Sequence, residues 1–212
     1  MDWFDEVARG QERAALVLVE EDGSRTTLSY EEVRQRSDRV AAWLAERGVA
    51  KGDPVVVMLG NQVELWESML ALMKLGAVAV PTTTAIGAAG LRDRIARGGV
   101  RHVLCNPEDT VKFDDVPGTY TRLCAGQAVS RHGEWHDVHG AADAPAEAVA
   151  ALRHPGTAPG DPLLHYFTSG TTARPKLVEH SQVSYPVGHL TTMYWLGLRP
   201  GDVHLNLSLI HI

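Results

Sequence analysis

At about 150 residues per domain, 212 residues predict one to two domains. A chain with 44% apolar and 22% charged residues can bury a substantial core and is not disordered by composition. Acidic residues number 26 against 20 basic ones, a net charge of −6, so no basic excess exists to neutralise nucleic-acid phosphates. The opening Met1-Asp2-Trp3-Phe4-Asp5-Glu6 lacks the basic and then apolar regions of a secretory signal. No apolar run approaches the roughly 18 residues that would span a bilayer. Cys105 and Cys124 are too few for a disulfide framework, and the expected setting is reducing and cytoplasmic.

The first third alternates helix and strand. Ser29-Tyr30-Glu31-Glu32 has capping-box spacing, with Ser29 as N-cap and Glu32 able to return to its N–H. Val33, Ser37, Val40, Trp43 and Leu44 follow a helical period, and Gly48 sits where that helix should stop. The turn Gly52-Asp53-Pro54 launches Val55-Val56-Val57-Met58-Leu59, a continuous apolar run that suits a strand buried on both faces of a parallel sheet. Residues 61–64 can cap a second helix with Val63, Trp66, Leu70 and Met73 on one side, ended by Gly76. Trp66 and Met69 read as core side chains of that helix. Residues 77–80 form a short second strand closed by Pro81, completing a βαβ unit with an expected right-handed crossover.

The pattern continues with a helix over 89–97 and strands over 100–105 and 120–124. From 125 to 161 the composition shifts towards Ala, Pro, Gly and His, which predicts a loop-rich connection with room for one short helix. Order returns with a strand over 163–167. It runs into Thr168-Ser169-Gly170-Thr171-Thr172-Ala173-Arg174-Pro175-Lys176, where four hydroxyls, a glycine and a lysine lie within nine residues. Hydroxyls and backbone N–H groups can surround phosphate oxygens, Gly170 permits close approach, and Lys176 adds a compact charge. The chain holds only four lysines among its 20 basic residues, so a lysine at this place is a feature to explain. The ordinary phosphate-loop pattern fails at both flanks, because Pro175 precedes the lysine and Leu177 follows it. The plain alternative is a solvated turn with Lys176 pointing to water.

Residues 166–176, Tyr-Phe-Thr-Ser-Gly-Thr-Thr-Ala-Arg-Pro-Lys, resemble the pyrophosphate-binding loop of the adenylate-forming superfamily, which includes acyl-CoA synthetases, luciferases and peptide-synthetase adenylation domains. Residues 28–32, with Gly48-Val49 and Gly52-Asp53, resemble that family's opening motif, and residues 74–78 with Pro81 its second. Residues 175–181 and 185–189 look closest to medium-chain-type acyl-CoA synthetases, and the resemblance runs from about residue 25 to residue 206. Ala173 departs from the pattern at a position that is usually glycine; if that site needs a positive φ, the methyl costs on the order of 1 kcal/mol.

The resemblance implies a βαβ-rich α/β fold, a mostly parallel sheet flanked by helices, as the N-terminal part of such an enzyme's large domain. It implies ATP-dependent joining of a carboxylate to CoA through an acyl-adenylate, with AMP and pyrophosphate as products. Thr168, Ser169, Gly170, Thr171, Thr172 and Lys176 would bind the ATP phosphates, with Lys176 neutralising charge. The Mg²⁺ ligand, the adenine and ribose contacts and the C-terminal domain with its catalytic lysine would lie downstream, so the chain alone is expected to be inactive. The alternatives are a peptide-synthetase-type adenylation fragment and a non-enzymatic, partly folded truncation product. Residues 207–212, Leu-Ser-Leu-Ile-His-Ile, depart from the family and can be translated from a common sequencing-adapter sequence, so residues 1–206 are expected to be native and the last six a foreign tail.

Three further signals have ordinary readings. His132, His136 and His139, with Glu134 and Asp137 between them, read as a solvated polar loop rather than a metal site, because Gly133 argues against a helix. His180 reads as a helix-start or packing residue, with a phosphate contact as the alternative. Arg92, Arg94, Arg97 and Arg101 read as a solvated basic face, with a CoA-phosphate contact as a weaker alternative.

Overall fold

Apolar side chains at four consecutive positions, Val55 to Met58, can be buried together only if both faces of their strand are covered. The computed structural model, which describes residues 2–168, 174–199 and 202, places that strand inside a seven-stranded sheet. The elements in chain order begin with α1 (Asp2–Ala8), a separate hairpin of β1 (Ala14–Val19) and β2 (Arg25–Ser29), and α2 (Tyr30–Glu46). There follow β3 (Pro54–Met58), α3 (Val63–Leu75), β4 (Val78–Pro81), α4 (Ala88–Gly98), β5 (His102–Cys105) and β6 (Thr121–Cys124). The last are β7 (Trp135–Asp137), α5 (Ala146–Ala151), β8 (Pro162–Thr168), β9 (Lys176–Ser181) and α6 (Ser184–Leu196).

The sheet order is β7-β6-β5-β3-β4-β8-β9, and every neighbouring pair is parallel except β8 with β9. The expected α/β class with a mostly parallel sheet flanked by helices is therefore the observed one. Strand alternation sorts the core into two layers. Val55, Val57, Ala79, Leu104, Leu123 and Leu164 face α2 and α3, where Trp43, Leu44, Leu72 and Leu75 meet them. Val56, Met58, Val80, Val103 and Cys105 face the other way, onto Leu91 and Ile95 of α4 and onto Phe113 and Tyr120.

The punctuation read from sequence is present. The Glu32 N–H donates to Ser29 Oγ at 3.2 Å, and the Ser29 N–H donates to Glu32 Oε2 at 2.7 Å. Gly76 ends α3 at φ 64°, in the left-handed region, where its N–H donates to the Leu72 and Met73 carbonyls. The neighbouring Glu31 ties the N-terminal segment to α2. Its carboxylate accepts from the Gly10 N–H at 2.9 Å, from Arg34 Nη2 at 2.7 Å and from Gln35 Nε2 at 2.7 Å.

Two expectations are corrected. Trp66 is not a core residue: it is 45% exposed, and its indole N–H donates to Asn61 Oδ1 at 3.4 Å. The buried face of α3 is instead Glu67, Ser68, Ala71, Leu72, Lys74 and Leu75, half of it polar, because α2 answers it with Arg36 to Glu67 and Asp38 to Lys74. Met69 does pack against the core. The stretch 125–161 holds more than one short helix: besides α5 it contributes β7 and a 3-10 turn (Val138–Asp143) whose Val138 and Ala141 are buried.

Among the described residues no helix is long and apolar enough to cross a membrane. Helix α6 has no charged side chain and leaves Tyr194 and Trp195 78% and 87% exposed.

Leu104→Ala, at a side chain 1% exposed, should cost about 2–5 kcal/mol of unfolding free energy in urea titrations, whereas Trp66→Ala should stay within about 0.5 kcal/mol. Arg34, the Gly10 N–H and Gln35 together hold the Glu31 carboxyl down to about 2 from an ordinary 4.5. A depressed carboxyl stabilises the fold fully above the ordinary value and loses that contribution as pH falls through the folded one. The gap in urea midpoint between the native chain and Glu31→Gln should thus be open at pH 7 and close between about pH 4.5 and 2.

Candidate functional site

Strand β8 lies parallel to β4, so its last residue, Thr168, reaches the edge of the sheet where the carboxyl ends of β3, β4 and β5 also emerge. The chain then reverses and returns as β9. The register pairs Thr168 with Lys176, Phe167 with Leu177 and Tyr166 with Val178. The hydroxyl-rich segment is therefore the connection of a β-hairpin, with its first hydroxyl and its lysine on directly opposed strand ends. Both residues are exposed, and Lys176 makes no ion pair or hydrogen bond among the described residues. Of the six site residues expected from sequence, the structure brings these two together; Ser169, Gly170, Thr171 and Thr172 lie outside the described residues, as do Ala173 and residues 207–212.

Helix α4 supports the base of this hairpin through two residues read from sequence as a solvated face. Arg97 Nη1 donates to the Pro175 carbonyl at 2.9 Å and to Asp93 Oδ2 at 2.8 Å, and its guanidinium sits 5.3 Å from the Phe167 ring centroid. Arg94 lies 5.0 Å from the same centroid, half-buried. The Phe167 ring thus meets two guanidinium groups, an arrangement its quadrupole favours. The basic run is in fact divided among separate tasks, since Arg92 donates to the Asp115 carbonyl at 2.9 Å and Arg101 to Asp53 Oδ1 at 2.8 Å. The only cue in the sequence was the period: Arg94 and Arg97 are three apart and share one side of α4.

The other side of the hairpin is braced by aromatic packing. His180 is on β9 rather than at a helix start, and its ring packs edge-on against Tyr166 and Tyr185, 5.7 Å between centroids in each case. The Tyr166 and Tyr185 hydroxyls approach to 3.4 Å, and burial followed by that contact pushes the Tyr166 phenol above its ordinary pKa. His165 Nε2 and Glu179 Oε2, 3.0 Å apart, link the two strands directly.

The histidine-rich stretch is occupied otherwise. His139 Nε2 is 2.9 Å from Glu64 Oε1 and its Nδ1 3.3 Å from Asp137 Oδ1, while His136 lies on edge strand β7. Among the described residues no three His, Cys, Asp or Glu side chains are grouped so as to hold a metal ion. Cys105 and Cys124 are free, buried register partners on β5 and β6; burial raises both thiols, Cys124 to about 12, so neither is an available thiolate.

An exposed ammonium opposed to a hydroxyl, at the carboxyl edge of a parallel sheet, is the place and chemistry at which α/β proteins take anionic ligands. In comparison with known proteins, the model of the family described as AMP-binding enzyme matches residues 3–212. The chain belongs to this family. It is 30% identical over 211 residues to 4-hydroxybutyrate–CoA ligase 1 of Metallosphaera sedula, covering 98% of this chain and 36% of that protein. It is 29% identical over 192 residues to human mitochondrial acyl-coenzyme A synthetase ACSM5, covering 88% and 32%. The crystal structure of a Brucella canis acyl-CoA synthetase superposes with a TM-score of 0.74 at 26% identity, over 93% of this chain and 36% of that one. The chain thus spans about a third of the length of the relatives it matches.

If α4 holds the base of the hairpin, Arg97→Ala should speed amide hydrogen exchange across residues 168–177 by roughly fivefold, the equivalent of one lost hydrogen bond of about 1 kcal/mol. Arg92→Ala, whose contact is to the Asp115 carbonyl, should leave that exchange unchanged.

Proposed function

We propose that this chain carries the triphosphate-binding hairpin of an ATP-dependent acyl-CoA ligase, which joins a carboxylate to CoA through an acyl-adenylate and releases AMP and pyrophosphate. The observation that carries the reading is the opposition of Thr168 and Lys176 across β8 and β9, both exposed, with a hydroxyl-rich connection between them. Its support from relatives lies in their names, 4-hydroxybutyrate–CoA ligase and acyl-coenzyme A synthetase.

The residues present fit the ATP phosphates. The Lys176 ammonium is a point charge free of other partners among the described residues, suited to phosphate oxygens that rotate about it. The Thr168 hydroxyl and those of Ser169, Thr171 and Thr172 add neutral donors, and Gly170 lets the backbone come close. In this reading the hairpin holds the β- and γ-phosphates so that the α-phosphorus faces the carboxylate in line, and Lys176 neutralises charge growing on the departing pyrophosphate. Mg²⁺ would supply positive charge against the phosphates, and its ligand is expected downstream of this chain rather than among the residues assigned here. CoA enters as the second-step co-substrate and is assigned none of these residues.

Since the chain spans about a third of its relatives, we expect no turnover from these 212 residues by themselves. Two free, buried thiols support the reading of a reducing, cytoplasmic setting.

In the complete protein, Lys176→Ala should lower carboxylate-dependent ATP–pyrophosphate exchange roughly 10- to 100-fold, the range for losing one charge-assisted hydrogen bond of about 1.5–3 kcal/mol. CoA transfer from a supplied acyl-adenylate should change far less. Equal losses in the two half-reactions would overturn the role given to Lys176.

A further inference from the structure

A cleft of about 390 Å³ lies between α2, α3 and the 3-10 turn that follows β7, and it shares no lining residue with the β8–β9 hairpin. Its charged groups are paired with one exception. Arg36 Nη1 is 3.3 Å from Glu67 Oε1, and His139 Nε2 is 2.9 Å from Glu64 Oε1. Arg39, half-buried in the wall, makes no ion pair or hydrogen bond among the described residues. A second group in the wall is also unmatched. Ser68 is completely buried, yet its Oγ has no hydrogen-bond partner among the described residues. A serine inside a helix ordinarily satisfies its hydroxyl on a carbonyl of the preceding turn, and a buried hydroxyl left bare destabilises the fold. The rest of the wall is largely apolar, with Val40, Val63 and Val138 facing the space.

One kind of molecule satisfies all three features. A carboxylate accepts from both the Arg39 guanidinium and the Ser68 hydroxyl, and an aliphatic tail covers the valines. One unpaired guanidinium and one hydroxyl are the donors the cleft leaves over, which suits the two oxygens of a carboxylate. We propose that this cleft is a second ligand site, for a small monocarboxylate with a short apolar tail, separate from the phosphate-binding hairpin.

The test is calorimetric titration of the complete protein with hexanoate, with 1-hexanol and inorganic phosphate as matched probes, and with backbone amide shifts to locate the bound molecule. Hexanoate should bind saturably, with shifts concentrated at residues 36–40, 63–68 and 138–142, and both other probes should bind at least tenfold more weakly. Arg39→Gln, which removes no ion pair or hydrogen bond among the described residues, should weaken hexanoate at least tenfold. Ser68→Ala should weaken it several-fold without lowering the melting temperature of the unliganded protein, a combination that a purely structural serine would not give. Lys176→Ala should leave this binding within twofold, which separates it from carboxylate held at the nucleotide site. No saturable binding, shifts confined to other residues, hexanol or phosphate matching hexanoate, or unchanged affinity in both Arg39→Gln and Ser68→Ala would each overturn the proposal. Should Arg39→Gln melt early, Ser68→Ala decides.

Discussion

A parallel strand ladder is stable only when helices cover both of its faces, and that constraint organises this molecule. Val55 and Val57 look one way and Val56 and Met58 the other, so α2 and α3 must lie on one side and α4 on the opposite side. The same requirement sets the direction of travel. After each helix the chain re-enters at the same edge, and the strand ends therefore collect at the other. β5 is placed on the far side of β3 from β4, so the chain winds outward in both directions from the middle of the sheet. The hairpin inherits its position from this plan and from no feature of its own.

Within the hairpin the two kinds of basic side chain divide the work by their geometry. Guanidinium groups, flat and able to donate in a fork, form the scaffold: Arg97 to a carbonyl and over a ring, Arg94 over the same ring. The ammonium of Lys176, compact and without a preferred plane, is left at the rim. In a chain so rich in arginine, the guanidinium groups hold the base of the hairpin and the lysine is left uncommitted among the described residues.

Much of this was legible in the residues themselves. The Ser29 capping box, the continuous apolar run of β3 and the glycine that ends α3 are local devices, and they act locally wherever they occur. The strand that leads into the hydroxyl-rich segment was equally visible, whereas β9, which pairs back onto it, was not read. The hidden parts depended on partners distant in the chain. The inner face of α3 was missed because Glu67 and Lys74 are buried against Arg36 and Asp38, which a hydrophobic period cannot register. Arg97 looked solvated because the carbonyl that receives it belongs to Pro175, 78 residues later. Strand β7, three residues long and half-exposed, carries too little pattern to stand out from its surroundings.

The neighbour of β8 in the sheet is β4, and their pairing joins Ala79 to Leu164, positions 85 apart in the chain. At ribosomal speeds of about 5–20 residues per second, β4 is made at least ~4 s before the strand that will cover its edge exists. The inner strands can assemble meanwhile, while the unpaired flank of β4 waits as an open template for any extended peptide. The β8–β9 hairpin is therefore built after the inner strands, and nascent chains are vulnerable to mispairing during that interval.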